Sequence, residues 1–304
     1  MHRYLLHNGT IHPSSEKLLS PGQVGFLNGW GVFSTLRIFD GVLFAYERHW
    51  ARMHKDAELL HIPMPASMEE LRKDLIALVE ANEAYNSTLR VAIVRNRGGF
   101  FEGEGIDRDF DVVAFTTDLH HWGRGVRLAL QADARHGACM FAGAKITSWA
   151  YNLTWLENAR RRGFDEVLLL DEHGRVSECT SANIFAATPE GVLTPPLSSG
   201  CLPGVTREVL LREVAVPGAP VIERHLTVED LWRAEAVFIT STTRELLPVA
   251  AIEDRNLSES GRARVLLQEA FSGYVDRYVA AAHEKGLGAR KPAASRGQTG
   301  SSRV

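Results

Sequence analysis

The chain has no surplus of basic charge: 34 Lys and Arg stand against 37 Asp and Glu, a formal net charge of -3. Without a basic field to neutralise phosphodiesters or an anionic bilayer, neither nucleic acid nor a membrane surface is an expected partner. It also lacks any apolar run near the roughly 18 residues that span a bilayer, and its opening MHRYLLHNGTIHPSSE holds no apolar signal core. The expectation is a cytoplasmic protein. Cysteine is scarce: Cys139, Cys179 and Cys201 are odd in number and far apart, so neither a disulfide framework nor a zinc site is read from them. The 12 histidines form no HExxH or comparable pattern, so no metal is expected. Lysine is rare too, six against 28 arginines. What is present, 45% apolar and 23% charged residues over 304 positions, is globular composition.

The spacing predicts two domains. Residues 1–120 read as a small α+β domain: short strands, a hairpin around Asp40-Gly41, helices over 47–60 and 67–84, then strands over 89–95 and 110–117. Asp118 to Gly125, DLHHWGRG, breaks the apolar pattern and marks the boundary. Residues 121–285 alternate many short strands with few helices, among them 149–162 and a long one from Ser258 to Glu284. That pattern argues for a barrel-like mixed sheet rather than a doubly wound one. Residues 286–304, rich in Gly, Ser and Arg, read as a disordered tail.

Lys145 stands apart from the other lysines, which lie in polar surroundings. It sits in CMFAGAKITSWA with no acidic residue within ten positions. Burying an ammonium without a counter-charge favours the neutral amine, a nucleophile for carbonyl carbon. The competing reading is a strand-end lysine that snorkels to water. Glu178 ends a strand in GRVSECTSANIF. In LSSGCLPGVTREVLL a helix starts near Thr206, so free amides and a hydroxyl form an anion site; a plain capping role for Thr206 is equally open. ITSTTRE at 239–245 adds a hydroxyl cluster after a buried strand. Together these parts supply an amine, an acid and anion-binding dipoles. A pyridoxal phosphate enzyme needs all three.

From about Asn8 to Gln268, and most specifically over Lys145 to Arg207, the chain resembles the class IV (fold type IV) pyridoxal phosphate enzymes. This group holds branched-chain aminotransferases, D-amino-acid aminotransferases and aminodeoxychorismate lyases. The resemblance implies that Lys145 carries pyridoxal 5'-phosphate and does the catalysis, with Glu178 on the ring nitrogen and Leu202 beside the ring. It implies a phosphate held by Val205, Thr206, Ser241, Thr242 and Arg52, the last from His49-Trp50-Ala51-Arg52, and it assigns Phe33, Arg90 and Thr243 to the substrate. The branched-chain enzymes carry a tyrosine shortly after the lysine, where this chain offers Trp149 and Tyr151. The D-amino-acid enzymes carry an arginine and a histidine in the loop after the strand at 89–95, where this chain offers Phe100 and Glu102.

The implied activity is ping-pong transfer of an amino group between an amino acid, branched-chain-like, and a 2-oxo acid, by a homodimer. One alternative is an aminodeoxychorismate lyase, towards which VFSTLRIFDG leans. The other is a catalytically silent relative.

Overall fold

The alternating segment VFSTLRIF turns on Asp40 and Gly41, both at positive φ (47° and 80°), the two-residue hairpin geometry whose twist matches its strands. Around that hairpin the first sheet assembles. The computed structural model describes residues 1–100, 106–258 and 261–291. Along the first part of the chain run β1 (Tyr4–His7), β2 (Thr10–Pro13), α1 (Val24–Asn28), β3 (Gly31–Phe39), β4 (Val42–Leu43), α2 (Tyr46–Leu59), α3 (Met68–Ala81), β5 (Thr88–Arg95) and β6 (Phe110–Thr117). The six strands lie in the order β2-β1-β6-β5-β3-β4, every pair antiparallel. Ser67 caps α3 by accepting the Glu70 amide, and Glu69 and Glu70 complement the helix dipole. One face of the sheet buries Leu36, Ile38, Leu89 and Ile93 in a core shared with Leu75 and Leu78 of α3.

The chain crosses from β6 to the second sheet through residues 118–125. There follow β7 (Val126–Arg135), α4 (Ala150–Arg161), β8 (Glu166–Asp171), β9 (Val176–Cys179), β10 (Asn183–Thr188), β11 (Gly191–Thr194), α5 (Val205–Arg212), β12 (Val221–Glu223), α6 (Val228–Arg233), β13 (Ala236–Ser241), β14 (Glu245–Ile252), β15 (Arg255–Asn256) and α7 (Arg262–Glu284). Their order is β12-β11-β10-β13-β14-β7-β8-β9, with β15 beside β14; β11/β12, β14/β7 and β7/β8 are parallel and the rest antiparallel. The result is an α+β fold in which this mixed sheet curls into a half-barrel. Because successive strand residues face opposite ways, Ile184 and Ile239 enter one core while their neighbours Phe185 and Phe238 stack 5.1 Å apart in another. That second core also takes Phe271 and Val275 of α7, and Phe44 from the first part of the chain packs edge-on against Phe271 at 5.9 Å. No helix among the described residues is long and apolar enough to cross a membrane.

Three features depart from the sequence reading. The five-residue helix α1 was not expected, and it leaves Phe26 and Leu27 exposed. The helix at 47–60 buries polar His49, Arg52 and Asp56 beside Met53 and Ala57. The segment 286–291, expected to be disordered, docks instead. Ala289 is buried in the first core and its amide donates to the Gly41 carbonyl at 3.0 Å, while Lys291 pairs with Asp40. A side chain at position 41 would meet the Ala289 carbonyl, so glycine there makes the contact possible. Residues 292–304 of that expected tail, and Glu102, lie outside the described residues.

Candidate active site

Lys145 is placed by its backbone. Its N–H donates to Asp56 Oδ2 on α2 at 3.0 Å and its carbonyl accepts the Phe33 amide of β3 at 3.1 Å. Ile146 bridges Val32, and Thr147 donates its amide to Gly31 O at 2.9 Å, so this stretch lies along β3 as a short added strand. The side chain ends inside a cavity of about 470 Å³, with Nζ 4.6 Å from the centre of the Phe33 ring. It does not snorkel. Burial, and then Arg52, push the amine pKa down to about 7 against the opposing pull of Glu178. The residue as a whole is half-buried.

Glu178 reaches the same cavity from β9, whose four residues are all buried. Its Oε1 accepts Arg135 Nε at 3.0 Å and its Oε2 accepts the Leu202 amide at 3.0 Å. Both oxygens are thereby oriented and the negative charge is supported. Arg135 was not anticipated: in the sequence it is one arginine among 28, and its partner lies 43 positions away.

Another wall is built for an anion. Arg52 is 9% exposed, donates through Nη2 to Ser34 Oγ at 2.8 Å and through Nη1 to Pro203 O at 3.3 Å, and leaves a buried Nε without a partner. Among the described residues no carboxylate forms an ion pair with it. Burial lowers its pKa to about 10. Ser34 Oγ lies 2.7 Å from His49 Nδ1; burial and Arg52 hold that imidazole far below its ordinary pKa, and it is neutral.

Facing Arg52 is the start of α5, where Gly204 occupies the N-cap position with no side-chain cap. Thr206 is therefore inside the helix rather than capping it, and among the described residues no side chain caps the first amides. A Cβ at 204 would come within 2.0 Å of Asn183 Oδ1, so only glycine lets that strand and this helix start approach so closely. Arg48 ties α2 to α5 through Glu208 at 2.6 Å. Ser241 at the end of β13 and Thr242 in the turn to β14 line the cavity, next to Thr240, whose hydroxyl is buried without a partner among the described residues.

All eleven residues singled out in the sequence, Phe33, Arg52, Arg90, Lys145, Glu178, Leu202, Val205, Thr206, Ser241, Thr242 and Thr243, line this one cavity. Arg90 lies 3.8 Å from the Phe33 ring centre, its pKa lowered by burial. Sequence reasoning missed Arg135, Asp56, Ser34, Asn183 and Trp122. Trp122 comes from the crossing segment, with Nε1 donating to Thr243 O at 3.1 Å and its ring 3.7 Å from the Arg244 guanidinium. Of the two aromatics after the lysine, Trp149 meets Phe33 edge-on at 6.1 Å, whereas Tyr151 is 76% exposed.

Comparison with known proteins gives a consistent picture. The profile of the amino-transferase class IV family matches residues 31–252. A D-alanine aminotransferase of Bacillus licheniformis is 29% identical over 257 residues, covering 83% of this chain and 89% of the relative. A putative branched-chain-amino-acid aminotransferase of Methanocaldococcus jannaschii is also 29% identical, over 87% of this chain and 93% of its own. The solved branched-chain amino acid aminotransferase of Escherichia coli superposes with a TM-score of 0.83 at 24% identity, covering 90% of this chain and 95% of that one.

Proposed function

The chain belongs to the class IV aminotransferase family, and from that premise we propose that it moves amino groups between an amino acid and a 2-oxo acid with Lys145 as its catalytic residue. Class IV aminotransferases use pyridoxal 5'-phosphate. The residues present fit that group: a buried arginine Nε without a partner and an uncapped helix start form one wall of the cavity, and a fixed carboxylate forms another. Arg52, the Val205 and Thr206 amides, the Thr206 hydroxyl, Ser241 and Thr242 would hold the phosphate, Leu202 would pack on the ring, and Glu178 would hold the ring nitrogen. Bound there, the cofactor supplies an aldehyde carbon that exchanges amines and a ring that accepts the electron pair left at the substrate Cα.

The observation that carries the reading is the Lys145 amine. At a pKa of about 7 it is substantially neutral at working pH, so Nζ can take the proton from the substrate Cα. Glu178, supported by Arg135, keeps a positive charge favourable on the atom it faces. Among the described residues no acidic side chain contributes to the pKa of Arg90, which is suited to a substrate carboxylate, with Phe33 and Thr243 shaping the rest of that subsite. A branched-chain-like donor fits the apolar Phe33 wall. Two half-reactions in one cavity give ping-pong kinetics.

A homodimer in the cytoplasm completes the proposal. Helix α4 buries only Ala159, and Met140, Phe141, Tyr151 and Leu153 are 44 to 76% exposed, an apolar surface suited to a second copy. The experiment is spectral. Protein loaded with pyridoxal phosphate should show a yellow band that bleaches with its amino donor, found by screening L- and D-amino acids against 2-oxoglutarate and pyruvate. Lys145→Ala should lose both band and turnover, and retained turnover in that variant would overturn the assignment. A band indifferent to every donor, with pyruvate released from aminodeoxychorismate, would establish the lyase instead. A loaded protein without either activity would be a silent relative.

A further inference from the structure

The buried face of α2 is polar at three successive turns: His49, Arg52 and Asp56 are 1, 9 and 4% exposed. His49 and Arg52 meet Ser34, but Asp56 has a different object. Its carboxylate accepts the Lys145 backbone amide, and the Lys145 carbonyl is held in turn by β3. The root of the lysine side chain is thereby clamped on both sides, and the amine has a fixed origin from which to reach the Phe33 ring.

A neutral amide or hydroxyl would accept the same N–H with a smaller desolvation cost. Burial raises the pKa of Asp56 against the lowering pull of the Lys145 amide and Arg52, so a charge there carries a desolvation cost. The surroundings of the amine supply a reason. Arg52 on α2 and Arg90 on β5 both drive the proton off Lys145, and Glu178 on β9 and Asp56 are the two carboxylates that oppose them. His49, also on α2, is neutral; Lys55 is the other cation acting on Asp56.

We propose that Asp56 is a positioning residue for Lys145, fixing the lysine backbone from the helix that also presents Arg52 and moderating the positive field on its amine. The inference rests on reading Lys145 as the reactive amine. Without Asp56 the amine would be displaced and over-acidified, a weaker base for the Cα proton.

The test begins with cofactor-free protein. Trace labelling of Lys145 by acetic anhydride across pH, read by peptide mass spectrometry, gives the titration midpoint of its amine. D56N keeps an acceptor for the Lys145 amide but removes the charge, and its midpoint should shift to lower pH than that of the wild type. D56A loses acceptor and charge, and its turnover should fall at least about tenfold below that of D56N. Rescue by asparagine with a shifted pH profile supports the proposal. An unchanged midpoint in D56N, or wild-type turnover in D56A, overturns it. If D56A fails to fold, the near-isosteric D56N midpoint decides alone. Should wild-type protein take up no pyridoxal phosphate, the functional reading fails while the labelling still judges Asp56.

Discussion

Replacing Arg52 by methionine should make the cofactor-free protein slightly more stable and its response to cofactor much weaker. The guanidinium is buried, no carboxylate among the described residues forms an ion pair with it, and the fall of its pKa to about 10 against the opposing pull of Asp56 and Glu208 corresponds to a net cost of roughly 3 kcal/mol. Because the folded-state pKa lies below that of the unfolded chain, this cost is present at every pH below about 10 and is relieved only above it. Methionine removes the cost but also two hydrogen bonds, to Ser34 Oγ and Pro203 O, worth about 1 kcal/mol each. The balance is about 1 kcal/mol in favour of the variant, an upward shift in Tm of roughly 2 °C for a chain of this size.

Pyridoxal phosphate at a hundred times its Kd should stabilise the wild type by about 2.7 kcal/mol. Loss of the charged phosphate contacts should weaken that binding by about 10- to 100-fold. The assay is paired thermal melts with and without cofactor, in buffer free of phosphate and sulfate. A cofactor-free R52M protein melting well below wild type would show that the guanidinium stabilises the fold by itself. An undiminished cofactor-induced shift would show that the phosphate binds elsewhere.

Two further outcomes follow from the same geometry. The rate at which cofactor-free protein takes up pyridoxal phosphate should rise through about pH 7 and level off, because the neutral form of Lys145 reacts and the ammonium form dominates below that pH. A flat profile would count against a buried, deprotonating amine. Gly204→Ala would force its Cβ against Asn183 Oδ1, whose amide is engaged with Leu202 O at 2.8 Å, and the start of α5 must move. Overpacking of this kind costs about 1–3 kcal/mol, and titration should show weaker cofactor binding; unchanged melting and affinity would mean the loop yields freely.

Local chemistry was the legible part. Asp40-Gly41 announces its turn because few residues accept positive φ, and Ser67 followed by Glu69 and Glu70 announces a helix start. Lys145 was conspicuous through the absence of acids around it, and the helix start near Thr206 through the loop before it. Arg52 could be assigned only by resemblance. Nothing local separates it from 27 other arginines; the side chains of Arg207 and Arg244 are buried as well but pair with Glu223 and Glu166, whereas Arg52 is buried against Ser34 of β3 and the Pro203 carbonyl. The docking of Ala289 was equally invisible, since one alanine packed against one glycine leaves no periodicity to read.

Taken alone, the order of residues indicated most of the strands and helices, the turn at Asp40-Gly41, and that one lysine has no acidic residue within ten positions along the chain. Only the folded chain decided what that lysine meets. Asp56 lies 89 positions before it, Arg135 approaches Glu178 across 43, and Arg52 reaches Pro203 across 151. Propensity and periodicity act over a few residues. The field that moves a pKa depends on distance in space, and those distances are set by how the sheets pack.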